Sequence, residues 1–311
     1  MPRTVVAPIT TLPGENKKNI YIIGPRASGK TTFLGALLSI NKSQNKVHKK
    51  VTIKTKGATR ELESKVKDSW RTKRPLAPTM FDGSLQNYEF SVKINSQFNS
   101  QSEIEFKVKD YAGEFFQELL RTNLATQITP YLLDCLTNAN GWIVLLPDFC
   151  LKDQGNEFTM VENIDDFYKS VFRELLSNVP NDDNFFSIDE VTKIQNNLRK
   201  IRIAFVMSKC ERGELWTRRW EPERDLFQVH LNNTREFLRN NLSLGKNQIS
   251  FFALSSFGVF SEKDPRPNRL NLGKNLQDGA SMDKKDEWKP FGLVNPLYWI
   301  ATGKKWKDPS F

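Results

Sequence analysis

A chain of 311 residues with a net charge of +10 is long enough to bury a substantial core, as one large α/β domain or two small ones. Its two histidines, His48 and His230, lie far apart without ligand-like neighbours, which excludes a zinc centre and Ser-His-Asp chemistry. Cys135, Cys150 and Cys210 lack C-x-x-C spacing and sit in or beside apolar stretches, as reduced packing residues of a cytoplasmic chain do; no run has the length of a signal peptide or membrane span.

Residues 1–18 are polar, carry three prolines and read as a flexible lead-in, followed by a single domain over 19–311. Ile20 to Ile23 predicts the first strand and Thr32 to Leu38 the first helix. Between them stand Gly24, Pro25, Arg26, Ala27, Ser28, Gly29, Lys30 and Thr31, a complete G-x-x-x-x-G-K-[ST] loop. A strand that ends in such a turn and feeds a helix surrounds phosphate oxygens with backbone N–H groups, backed by the positive end of the helix dipole. These eight residues and Thr32 are therefore the expected nucleotide-binding segment, with Lys30 reaching the β- and γ-phosphates and the Thr31 hydroxyl on Mg²⁺.

An insertion at about 41–84 comes after the helix. It opens with Lys42, Lys46, Lys49, Lys50, Lys54 and Lys56 and no acid between them. Without interleaved aromatics this reads as a solvated face sooner than a nucleic-acid surface. Val47 to Thr55 is β-prone, and a helix is expected from Thr59 to about Arg71, halted near Pro75. Leu85 to Ile94 and residues 102–110 alternate as a hairpin with one wet face. Asp110-Tyr111-Ala112-Gly113-Glu114 comes next, where an aspartate at a strand end can hold Mg²⁺ through water and Gly113 can bring its N–H against a γ-phosphate.

A helix is expected over Glu114 to Gln127, with Pro130 kinking it or starting another turn. Trp142 to Leu146 is a buried parallel strand, helices span Ile164 to Leu176 and Ile188 to Arg199, and Ile201 to Met207 is the next strand. Pro222 begins a helix running to about Asn241, Ile249 to Leu254 is the last strand, residues 261–287 form a loop excursion, and Leu293, Leu297 and Trp299 mark a closing helix. The alternation predicts an α/β fold, a doubly wound, mostly parallel sheet with one antiparallel hairpin strand.

In such sheets ligands sit outside the carboxyl ends of the strands, so the residues directly after each strand carry the chemistry. Ile201 to Met207 ends in Ser208-Lys209-Cys210-Glu211, and Ile249 to Leu254 ends in Ser255-Ser256-Phe257-Gly258. The order of phosphate loop, D-x-x-G, lysine-containing tetrapeptide and small-residue turn resembles the GTPases of the Ras-like and translation-factor class, which implies the P-loop NTPase fold. By that resemblance Lys209 covers the base, Glu211 stands for the aspartate of [NT]-K-x-D that reads guanine N1 and N2, and Ser255 and Ser256 lie near guanine O6. Ser208 departs from the Asn or Thr of that motif and weakens the expected tie to the phosphate loop. Thr79 is the matching candidate to close on Mg²⁺ and the γ-phosphate, and Glu114 stands where the Ras-like glutamine orients water, so slow turnover is expected. Arg26 replaces a glycine and is a candidate to stabilise transition-state charge in cis.

The resemblance implies a Mg²⁺-dependent GTP-binding and hydrolysing switch that cycles between GTP and GDP, with a P-loop ATPase or a nucleotide-binding interaction module of little turnover as alternatives. Within the class the I-G-P-R-x-S-G-K-T-T loop and the D-Y-A-G-E pentapeptide are similar to those of bacterial double-GTPase proteins, thought to act in conflict or signalling systems. That likeness implies a protein partner or effector, such as a second GTPase-like protein.

Overall fold

A computed structural model describes residues 17–42, 50–57, 59–76, 86–94, 102–110, 129–149, 151–153, 158–177, 187–241, 248–271 and 280–306. The first strand, β1 (Lys17–Ile23), is apolar where it is deepest and leads through the glycine loop into α1 (Lys30–Leu38). The inserted segment contributes β2 (Val51–Lys56) and α2 (Thr59–Thr72), whose buried residues Leu62, Val66 and Trp70 recur at helical spacing. Then come β3 (Gln86–Ile94) and β4 (Ser102–Asp110), the expected antiparallel hairpin, in register from Gln86 opposite Asp110 to Ile94 opposite Ser102.

The second half alternates as the sequence predicts. Helix α3 (Thr129–Asn138), with Pro130 in its first turn, precedes β5 (Gly141–Leu146), and a small hairpin of β6 (Leu151–Asp153) and β7 (Phe158–Met160) precedes α4 (Ile164–Ser177). Next are α5 (Ile188–Leu198), opened by a Ser187–Glu190 capping box, and β8 (Arg202–Met207). The single helix expected from Pro222 to Asn241 is broken: Pro222–Phe227 is a π-helical turn, Leu231 leaves helical geometry at φ −139°, and α6 (Asn232–Asn241) starts afresh. Through the wider turn Leu226, Phe227 and Leu231 all reach the core. After β9 (Ile249–Ala253), the 261–287 excursion contains a hairpin of its own, β10 (Arg269–Asn271) with β11 (Ala280–Met282), before α7 (Asn295–Thr302) closes the chain.

Seven strands form one sheet in the order β2-β3-β4-β1-β5-β8-β9, parallel from β4 to β9 and antiparallel across β2-β3-β4. Its strand residues alternate between two cores. On one face Ile20, Ile22, Ile143, Leu145 and Val206 pack with α1, α2 and α7; on the other Tyr21, Ile23, Val144, Phe205 and Met207 pack with α3, α4, α5 and α6. This is the doubly wound arrangement, and it gathers the strand ends at one edge of the molecule.

The insertions are tied both to the sheet and to each other. On β2, Lys54 and Lys56 lie 3.9 and 2.6 Å from Glu103 and Glu105 of β4, so part of the basic stretch is paired across the sheet. The two inserted segments also meet: the Trp70 and Trp288 rings are 4.7 Å apart, and the buried Ser281 hydroxyl donates to Ser69 O at 3.1 Å.

Candidate functional site

The β1 end sits between two neighbours that set the phosphate loop in place. Ile22 is paired with Asp110 of β4, and Ile23 with Val144 of β5. The buried Asp110 carboxylate therefore stands beside the point where the chain leaves the sheet. Gly24 starts the loop because a side chain has no room there: a Cβ would lie 2.6 Å from Leu145 O and 2.7 Å from Ser28 Oγ. Ala27 and Gly29 both adopt left-handed backbone, at φ 60° and 92°, a geometry that turns backbone N–H groups inward. The turn is closed by Ser28 N–H on Pro25 O, and α1 begins with Phe33 N–H on Gly29 O.

Within the loop the Lys30 ammonium is nearly buried and donates to Gly24 O at 2.9 Å and Pro25 O at 3.1 Å. Arg26 is partly buried, and Thr31 and Thr32 lie half-buried in the first turn of α1. Thr31 also lines a cavity of about 530 Å³ that reaches under α2, past Leu62 and Ser69, to Leu76 and Tyr88. Tyr88 has its acidity suppressed by burial and by the charge of Asp110. The Ser28 hydroxyl is fully buried and has no hydrogen-bond partner among the described residues.

The β8 end arrives beside the same loop. Ser208 Oγ donates to Ser28 O at 2.8 Å, so the tie that Asn or Thr would be expected to make is made by serine. That corrects the expectation of a weakened connection: the serine hydroxyl stands on Cβ as a threonine's does, and it spans the gap because the two backbones run close. Lys209 takes left-handed backbone at φ 59°, and its Cε lies 3.8 Å from where a Gly29 Cβ would stand. Its ammonium is 4.6 Å from the Phe149 ring centre, in a site whose burial pulls its pKa down to about 8, against the opposing pull of Glu211. Arg212 covers the same ring at 4.4 Å and bonds Asp148 at 3.1 Å.

Glu211 comes two residues later, 2% exposed, with Oε1 3.8 Å from Arg269 Nη1 and Oε2 without a hydrogen-bond partner among the described residues. A carboxylate oxygen buried in that condition costs stability until a donor reaches it. At the β9 end, Ser255 pairs in both directions with the backbone of Phe291, and its hydroxyl accepts from Gly258 N–H at 2.8 Å. The carbonyl of Ser256 accepts from Trp288 Nε1 at 2.8 Å. The two serines thus build the turn that faces Glu211's loop, and Cys210 N–H on Leu254 O fastens the two loops together.

The structure accordingly assembles Gly24 to Thr32, Asp110, Lys209, Glu211, Ser255 and Ser256 along one edge of the sheet. Thr79, Gly113 and Glu114 lie outside the described residues. Three participants escaped sequence reasoning: Phe149, Arg212 and Arg269. Phe149 stands two residues beyond a strand-end proline and could have been questioned by the same rule as the other strand ends. Arg269 carries no such signal, since a hairpin inside a polar excursion brings it in.

A family model described as Double-GTPase 1 matches residues 21–300. No curated protein sequence matches the chain. Among solved structures, the GTP-bound Ski7 GTPase-like domain of S. cerevisiae aligns at 14% identity and a TM-score of 0.36, over 77% of this chain and 43% of that one. The signal recognition particle receptor SRb-GTP/SRX complex of Chaetomium thermophilum aligns at 13% identity and 0.35, over 78% and 91%. Sup35 complexed with GDP aligns at 13% and 0.31, over 83% and 42%. The chain spans less than half the length of the Ski7 and Sup35 chains.

Proposed function

The chain belongs to the Double-GTPase 1 family, and from that premise we propose that it binds and hydrolyses GTP as a Mg²⁺-dependent molecular switch. The observation that carries the reading is the buried Glu211 carboxylate, its Oε2 lacking a hydrogen-bond partner among the described residues, two residues past a lysine that lies against the phosphate loop at Gly29. Guanine presents N1–H and N2–H donors on one edge, which a carboxylate accepts together; adenine presents no such pair. The backbone N–H groups of Gly24 to Thr31 cradle the phosphates, and Lys30 exchanges its two loop carbonyls for phosphate oxygens.

The donor set beside the loop, a hydroxyl from Thr31 and a carboxylate from Asp110, is the hard oxygen chemistry that Mg²⁺ selects. Those residues would hold it, Asp110 through water, and bound Mg²⁺ would neutralise charge on the β- and γ-phosphates. Thr79 and Gly113 are the proposed sensors of the γ-phosphate, Glu114 the residue that orients water, and Arg26 the group that meets transition-state charge. The switch relaxes when the γ-phosphate leaves. Segments 41–84 and 261–287 supply the surfaces for an effector, a second GTPase-like protein among them, in a bacterial conflict or signalling system.

Binding of GTP, GDP, ATP and ADP, with and without Mg²⁺, to the parent and to Glu211→Ala tests the reading. Guanine preference in the parent and its loss in the variant support it. Equal affinity for adenine and guanine nucleotides in the parent sinks it.

A further inference from the structure

We infer that Arg269, on the hairpin of the 261–287 excursion, is a specificity-positioning residue that holds the Glu211 carboxylate for guanine. The inference rests on the reading of Glu211 as the base-reading group. Arg269 is one-fifth exposed, and its Nη1 stands 3.8 Å from Glu211 Oε1, close enough for ion pairing and just beyond a direct hydrogen bond. One oxygen of the carboxylate thus faces a fixed cation while the other is left for a donor.

The position of Arg269 is built in. The preceding residue, Asn268, is fully buried and clamped on three sides: its N–H donates to Gly258 O at 3.0 Å, its Nδ2 to Lys284 O at 2.9 Å, and its Oδ1 accepts from Lys284 N–H at 2.8 Å. Gly258 closes the Ser255 turn. The backbone that carries the guanidinium is therefore referenced to the turn proposed to lie near guanine O6, and the carboxylate to the loop of Lys209. The excursion is a wall of the base pocket.

Other cations near this loop among the described residues are Lys209, Arg212 and Arg219, the last bonded to Glu262. Lys209 is engaged with Phe149, and Arg212 with Phe149 and Asp148. Glutamate is one methylene longer than the aspartate of the resembling motif, so its carboxylate has one more rotatable bond to restrain. Arg269 supplies that restraint, and a planar guanidinium restrains a carboxylate better than an ammonium does.

The test is calorimetric binding of GDP, IDP and ADP to the parent and to Arg269→Met, Arg269→Lys, Glu211→Gln and Arg266→Ala, with melting temperature measured for each. IDP lacks the 2-amino group, so the GDP-over-IDP ratio reports the carboxylate's contact with N2. Arg269→Met should lower the GDP-over-ADP and GDP-over-IDP ratios about 10-fold or more while ADP affinity, set by the phosphate loop, stays within about 3-fold. Arg269→Lys should recover part of both ratios, and exposed Arg266→Ala should leave them unchanged. If GDP and ADP weaken together in Arg269→Met, or both ratios hold while Glu211→Gln loses them, Arg269 is structural only and the inference is overturned with the base reading intact. If the parent shows no guanine preference, or Glu211→Gln keeps it, the base reading falls and takes the inference with it. Should Arg269→Met fail to fold, Arg269→Lys against the parent decides: unchanged ratios overturn the inference, and a partial loss supports it.

Discussion

Ser208 Oγ donates to the carbonyl of Ser28 across 2.8 Å and 180 residues of sequence, joining the strand end that carries Lys209 and Glu211 to the middle of the phosphate loop. Both groups are buried, so neither has water to fall back on. Ser208→Ala leaves the Ser28 carbonyl without that donor and should cost about 1–2 kcal/mol of stability. If what loosens is the phosphate loop, the substitution should also weaken guanine and adenine nucleotides alike, whereas a change confined to the edge proposed to read the base would weaken guanine alone. Denaturant titration and nucleotide binding together check this; a variant as stable as the parent would contradict it.

Gly24 permits β1 to turn into the loop against Leu145. In Gly24→Ala the new methyl meets a backbone carbonyl at 2.6 Å, which cannot move without disturbing β5. A loss of about 2 kcal/mol or more is expected. Thermal unfolding measures it, and nucleotide affinity should fall with it, since the displaced turn carries the N–H groups meant for phosphate.

Lys209 makes stability depend on pH in a direction opposite to an exposed lysine pair. Folded, it gives up its proton near pH 8; unfolded, it keeps it to about pH 10.4. Between those values the unfolded chain holds the extra proton, so this residue's contribution to stability rises with pH through the window and its full cost is felt below pH 8. Lys209→Met removes the slope. The difference in unfolding free energy between parent and variant, measured at pH 7.5, 9 and 10, should therefore shift in the parent's favour as pH rises. A constant difference would show that the ammonium is not held in a costly site.

Arg26 is tested by rate. If it meets the charge of the transferring phosphoryl group, Arg26→Ala should slow GTP hydrolysis by about 10³-fold while GDP affinity changes little. Single-turnover measurement separates the two, and a variant that hydrolyses like the parent eliminates the role.

What could be seen in the sequence is what is local. The phosphate loop is eight consecutive residues whose spacing is their geometry, and the central strands are unbroken apolar runs that only a doubly covered sheet can bury. Ser208 shows the limit of reading by residue type: the motif substitution suggested a weakened tie, but a serine hydroxyl makes it where two backbones run close. The break at Leu231 shows another limit, since the periods of a π-turn and an α-helix are indistinguishable over ten residues of mixed polarity. Arg269 was out of reach altogether. Its place depends on a hairpin closing on itself and on Asn268 docking against Gly258, pairings that no local pattern encodes.

The contact between Trp70 and Trp288 makes one body of two segments that are separate in sequence. Trp70 is carried by the helix that roofs the cavity beside Thr31, and Trp288 holds the carbonyl of Ser256 at the opposite end of the site. If displacing α2 alters guanine-nucleotide affinity through this contact, linkage makes the effect reciprocal: a protein that grips α2 and changes that affinity by some factor has its own affinity changed by the nucleotide by the same factor. A partner could then sense which nucleotide is loaded without touching a phosphate.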